Sequence, residues 1–267
     1  MKDRALEIVA SRSAVADGRN VLREYLQSRI LGQMQEAGAF VPLAFTGGTA
    51  LRFLYRIGRF SEDLDFTLEY DREKFDFAAM LGRIDGGLRR EGYLTVAKVN
   101  ASSVVAKSML GFPGLLSEAE LSVHADEVLW VKLEVDTNPP AGAILSVSMV
   151  DRFGPLRMLH HDKESLFAGK IAAVLAREYA KGRDLYDLMW YLSQDPHVEP
   201  NVTLLRNALL QTAPALADTA VADWRGALRS RLDGIDWADA RRDVAPFLEQ
   251  PRDVELIEPA TFTQLLA

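Results

Sequence analysis

The sequence predicts an α+β protein, with a mixed sheet and flanking helices over residues 1–153 and a helical bundle over 154–267. Three observations predict it. Short apolar or alternating runs bounded by Gly, Pro and Asn recur up to about residue 150, whereas helical spacing dominates from about 155 to the end. The 267 residues exceed the usual single-domain size and allow a large buried core. No internal repeat or low-complexity segment interrupts either half.

Residues 3 to 37 place Leu6, Val9, Ala10, Val21, Leu22, Leu26, Ile30 and Met34 at helical spacing, which reads as two helices broken near Asp17-Gly18 and ending before Gly38. VPLAF (41–45) reads as a buried strand, GGT as a turn and ALRFLYRIG as a helix. DLDFTLEY (63–70) alternates like a strand, 72–92 is helical with Gly86-Gly87 as a weak point, and 93–100 with 103–112 forms a pair of strands. The clearest strand is VLWVKLEVDTN (128–138), with Trp130, Lys132, Glu134 and Asp136 on one face and Leu129, Val131, Leu133 and Val135 on the other. AILSVSMV supplies one more strand. The helical half is punctuated at Gly182, Asp195-Pro196, Pro214 and Pro246.

Composition narrows the chemistry. The absence of cysteine excludes disulfides, thiolate metal sites and Cys nucleophiles, leaving carboxylates and four histidines as metal ligands. His124, His160, His161 and His197 have no ligand spacing, so oxygen-ligated Mg²⁺ or Mn²⁺ is the expected metal. The N-terminal residues lack a secretory signal, and no segment approaches the roughly 20 apolar residues of a membrane span, so a cytoplasmic protein without membrane contact is expected. A net charge of −7 argues against diffuse polyanion binding and requires any such partner to be held by a local basic patch.

Asp63 and Asp65, at i and i+2 on a strand, share one face, where like charges are costly unless a cation sits between them. A third carboxylate would complete a divalent-metal site, and the later strand offers Glu134 and Asp136. Gly47-Gly48 follows a strand and opens a helix, so its N–H groups suit a phosphate. Thr49 either caps that helix or binds the phosphate itself. Gly48 precedes Asp63 by fifteen residues, room for one helix that returns the chain to the sheet. Arg52, Arg56 and Arg59 share a face if that helix continues, as a solvated stripe or a phosphate-binding rim.

GGTALRFLYRIGRFSEDLDF resembles the first motif of the AbiEii-type nucleotidyltransferases, the MenT-like toxins of bacterial toxin–antitoxin systems within the DNA polymerase beta-like superfamily. VKLEVDTNPP resembles their later acid-bearing strand, and ESLFAGKIAAVLAREYAKGRDLYDLMWYL their lysine helix and Arg-Asp-x-Tyr-Asp-Leu run. The tail DWADARRDVAPFLEQP is also similar. The resemblance implies a nucleotidyltransferase core and a helical domain closing the nucleotide cleft, with Asp63, Asp65, Glu134, Lys170 and Asp184 as catalytic residues. Metal falls to Asp63, Asp65 and Glu134, with Asp136 competing for the third place, and the nucleotide to Gly47, Gly48, Thr49, Arg59, Ser61 and Lys170.

The resemblance sets Lys170 on the phosphates, whereas the sequence alone makes it a residue at the edge of the stripe Phe167, Ile171, Val174, Leu175 and Tyr179. In the DLYD run, Asp184 is preferred to Asp187 as the essential acid, although the local pattern reads as an N-cap with a second acid at N3. Ser61 is a turn residue that some relatives have phosphorylated by the antitoxin. The implied activity is Mg-dependent transfer of NMP from NTP to the 3′ end of tRNA, in a toxin restrained by a cognate antitoxin. Arg52, Arg56, Arg59, Arg83, Arg89, Arg90, Arg225, Arg229, Arg231, Arg241 and Arg242 are the expected basic funnel. Transfer to a protein or small-molecule hydroxyl, and a non-catalytic binding module, are the alternatives.

Overall fold

The computed structural model describes residues 1–11, 15–70, 72–101 and 103–267. Its contacts divide the chain into two compact units, one of Met1–Tyr55, Phe60–Asn138 and Val147–His160, the other of Arg56–Arg59, Pro139–Ser146 and His161–Ala267.

The first unit runs α1 (Lys2–Ala10), α2 (Val15–Glu36), β1 (Leu43–Thr46), α3 (Gly47–Tyr55), β2 (Asp63–Leu68), α4 (Phe77–Arg90), β3 (Val96–Asn100), β4 (Val105–Pro113), α5 (Leu115–Glu118) and β5 (Val128–Asp136), then most of β6 (Leu145–Asp151) and of β7 (Pro155–His161). The strands form one mixed sheet in the order β3-β4-β5-β2-β1-β7-β6. β2 runs antiparallel to β1 and parallel to β5. Strict alternation gives β5 its two faces: Leu129, Val131, Leu133 and Val135 are buried, and Trp130, Lys132, Glu134 and Asp136 are half-exposed.

Two expectations change here. The helix break expected near Asp17-Gly18 is not there: α1 ends at Ala10, and both residues lie inside α2. Gly18 lies inside α2, where a Cβ would come within 2.7 Å of Leu121, so this glycine serves close packing. Gly86-Gly87 likewise stays helical, because Gly87 packs against Gln33 of α2. The strand signal does not end at 155: PLRMLHH forms β7, which pairs in parallel with β1 at Phe45 and His160. Exposed Pro155 and Arg157 alternate with buried Leu156 and Met158, a short period-2 pattern that the following helix obscures.

The second unit is helical, with α6 (Lys163–Ala176), α7 (Gly182–Leu192), α8 (Val202–Thr212), α9 (Ala217–Ala222), α10 (Trp224–Leu232), α11 (Trp237–Val244) and α12 (Pro259–Leu265). Asp162 caps α6 by accepting from Ser165 N–H at 2.8 Å. The helix stops at Ala176, so Tyr179, expected on its apolar stripe, is exposed beyond its end. Gly182 begins α7 rather than ending α6. A Cβ there would lie 1.7 Å from the Ala240 carbonyl oxygen of α11, so only glycine permits this helix contact.

Candidate active site

In the first unit, β2 and β5 set the carboxylates. The parallel register places Asp63 beside Lys132, Asp65 beside Glu134 and Thr67 beside Asp136. Strands in a sheet lie about 4.8 Å apart, so Asp63, Asp65 and Glu134 occupy neighbouring points of one half-exposed face. Asp136 stands one repeat further along, and its carboxylate accepts from Asn138 N–H at 2.9 Å, closing the turn after β5.

Lys132 binds Glu134 at 2.8 Å, and Lys107 of β4 reaches the other Glu134 oxygen at 3.0 Å. Burial pulls Lys132 down, but the Glu134 hydrogen bond and the charges of Asp63, Glu134 and Asp65 outweigh it and hold the ammonium above its ordinary value. Burial raises Glu134, and the two lysines more than reverse this, keeping it below the ordinary carboxylate range. One ammonium group thus sits in the field of three carboxylates. Among the described residues, no three acidic or imidazole groups are gathered into a ready-made metal cage. Three hard oxygen donors around an internal cation nonetheless fit Mg²⁺ or Mn²⁺, provided Glu134 exchanges its lysine contacts.

The chain around these acids is held in place. Gly47 has φ +74, and a Cβ on it would come 2.3 Å from Asp65 Oδ2, so both backbone and space demand glycine. The expected phosphate role of Thr49 is not what its side chain does: it is fully buried and its hydroxyl donates to the Asp63 carbonyl, tying α3 to β2. Gln27 of α2 donates to the carbonyls of Ser61 and Glu62, each at 2.9 Å, fixing the approach to β2. Sequence reasoning missed Gln27, a polar residue inside a helix with buried sides; its burial was the signal, and burial is not written locally.

The arginine rim is corrected too. The helix ends at Tyr55 and Arg56 takes φ +55, so the three arginines share no helical face. Arg52 is buried against Glu24 at 2.8 Å and lies over the Phe60 ring. Arg231, expected in a basic funnel, instead donates to the carbonyls of Val174, Arg177 and Glu178 at the end of α6, and Arg229 donates to that of Leu266.

The second unit holds a separate ionic cluster. Arg59, expected at the nucleotide, is buried and forks onto Asp187, both contacts at 2.6 Å. Lys170 reaches Asp184 at 2.6 Å and Asp187 at 2.8 Å, and Arg177 also binds Asp184. Asp184 is not the N-cap of α7, a place taken by Lys181; it lies in the first turn with its carboxylate on the two cations. Burial raises Asp187, while Arg59 and Lys170 lower it by more, so it stays ionised below its ordinary value. Burial lowers Lys170, with Asp187 opposing. Three cationic groups face two carboxylates here, the inverse of the sheet. Arg177 was missed because it lies past the helical stripe, where nothing distinguishes it from a solvated arginine.

The family profile described as "Nucleotidyl transferase AbiEii toxin, Type IV TA system" matches residues 29–266, nearly the whole chain. The chain belongs to the AbiEii family of nucleotidyltransferase toxins. No curated protein matches this family member. Among solved structures it is similar to MenT4, a nucleotidyltransferase toxin from Mycobacterium tuberculosis, at 19% identity and a TM-score of 0.53 over 99% of each chain, which shows a shared fold. It is also similar to JHP933 from Helicobacter pylori, at 20% identity and a TM-score of 0.45 over 92% of this chain and 94% of that one, too distant a likeness to support an argument. The AbiEii member is therefore a nucleotidyltransferase of a type IV toxin–antitoxin system, a class that uses NTP and a divalent metal and implies an antitoxin partner. No helix among its described residues is long and apolar enough to cross a membrane.

Proposed function

We propose that this toxin transfers NMP from an NTP to the 3′ acceptor end of tRNA, with Mg²⁺ held by Asp63, Asp65 and Glu134. The observation that carries the reading is the parallel register that sets Asp63 and Asp65 of β2 beside Lys132 and Glu134 of β5. When bound, the metal supplies charge neutralisation for the triphosphate and activation of the attacking hydroxyl. The chain does the rest by placement. Gly47 and Gly48 offer the N–H groups at the start of α3 to phosphate, and Gly47 leaves room for the Asp65 carboxylate beside them. Within the second unit, Asp184 orients Lys170 and Arg177, and Lys170 is the cationic group that the family resemblance assigns to phosphate. Pyrophosphate leaves as the acceptor oxygen bonds to the α-phosphorus, so alignment and charge carry the reaction without a histidine.

Incubating the protein with each α-labelled NTP, Mg²⁺, total tRNA and a protein extract tests the reading. Label on the 3′ end of tRNA is expected. Label confined to protein or to a small molecule would contradict it.

A further inference from the structure

Beside Asp63 the first unit contains a cavity of about 270 Å³ lined by Arg23, Met109, Trp130 and Lys132, among others, together with Asp63 itself. Its aromatic wall belongs to a larger surface. The register draws Lys98, Met109, Lys132 and Asp63 into one line across four strands, and Asn100, Lys107, Glu134 and Asp65 into the next. Directly paired residues point to the same side, so the metal-site acids share a face with three lysines and an indole.

Trp130 is opposite Gly111, where a Cβ would come within 2.7 Å of the ring. The glycine thus makes room for the indole to lie across β4. Lys98 Nζ sits 4.6 Å from the ring centroid of Trp130, a half-exposed aromatic. Unstacked nucleotides of single-stranded RNA ends are bound by such sheet-borne aromatics, with cationic groups beside them for the backbone.

We propose that this face is the acceptor platform: the 3′-terminal nucleoside stacks on Trp130 at the cavity beside Asp63, and Lys98 takes a phosphate of the preceding nucleotides. The proposal rests on the reading of RNA as the acceptor. Stacking of a base outweighs an exposed contact between ammonium and ring, so Lys98 leaves the indole for the phosphate as RNA binds. Trp130 stands one strand repeat, roughly 7 Å, from the line that carries Lys132 and Asp63. That spacing keeps a stacked terminal nucleoside next to the carboxylates. Stacking also tolerates any base, so the platform contributes affinity more than sequence choice.

The test uses a short single-stranded oligoribonucleotide with a free 3′-OH, labelled at its 5′ end, and follows its anisotropy with the full chain. Trp130→Ala is expected to weaken binding about tenfold and Trp130→Phe much less. In the transfer assay Trp130→Ala raises KM for RNA and leaves KM for NTP unchanged. A 4-thiouridine at the 3′ end, photolysed on the unaltered protein, is expected to cross-link to the peptides bearing Met109 or Trp130. Label entering RNA with Trp130→Ala unchanged in RNA affinity, or cross-links elsewhere, would overturn the platform alone. Label entering only protein or small molecules, with no RNA bound, would overturn the acceptor reading as well.

Discussion

Both units surround a lysine with acids, and the two lysines respond in opposite directions. Lys132 lies half-exposed among Asp63, Asp65 and Glu134 and is held above its ordinary pKa. Lys170 is buried with Asp184 and Asp187 but also faces Arg59 and Arg177, and it is pushed below. The difference teaches that charge ratio and burial, rather than residue type, decide what each cluster attracts. Excess carboxylate on a sheet face favours a cation, whereas excess cationic charge among helices favours an anion such as phosphate.

The comparison breaks most visibly in the sheet. Asp65→Asn or Asp63→Asn is expected to reduce nucleotidyl transfer on the order of 10³-fold while leaving thermal unfolding nearly unchanged, since these side chains are half-exposed. Activity and melting curves on the same sample check this. The helical cluster should behave the other way. Asp187→Ala leaves Arg59 and Lys170 buried with too few acids, and denaturant unfolding should show a loss of about 3–5 kcal/mol.

Smaller effects sharpen the account of the sheet site. Gly47→Ala forces a side chain into the left-handed region and against Asp65, so transfer should fall about 10²-fold through displacement of that carboxylate. Thr49→Val removes the hydroxyl that holds the Asp63 carbonyl, costing about 1–2 kcal/mol in unfolding experiments. The mildest is a pH effect. Asp187 has a folded pKa below its unfolded one, so its contribution is present above the unfolded value of about 3.9 and is lost as pH falls through the folded value. In acid titrations, Asp187→Asn should flatten the stability curve in that window.

The sheet was more legible in the sequence than the ionic clusters. VLWVKLEVD displays its two faces directly, because period-2 alternation is local, and β5 forms over Val128–Asp136. β7 was not legible, because seven residues with few polar interruptions run straight into a helix. Among the candidate residues, the shared face of Asp63 and Asp65 is legible from their spacing on the strand. The fates of Arg52, Arg59 and Thr49 do not, since each is set by a partner distant in sequence: Glu24, Asp187 and the Asp63 carbonyl. An arginine run on paper looks like one solvated rim; in the fold two of its members are buried ion pairs.

Glu134 and Asp136 differ by one strand repeat, and that repeat is the sharpest prediction of the register. Glu134 stands beside Asp65, while Asp136 stands beside Thr67 and closes a turn. The decisive measurement is α-labelled NTP transfer by Glu134→Gln and Asp136→Asn, at fixed Mg²⁺ and acceptor tRNA. A near-complete loss in Glu134→Gln with Asp136→Asn largely active is the expected result. An inactive Asp136→Asn alongside an active Glu134→Gln would contradict the account.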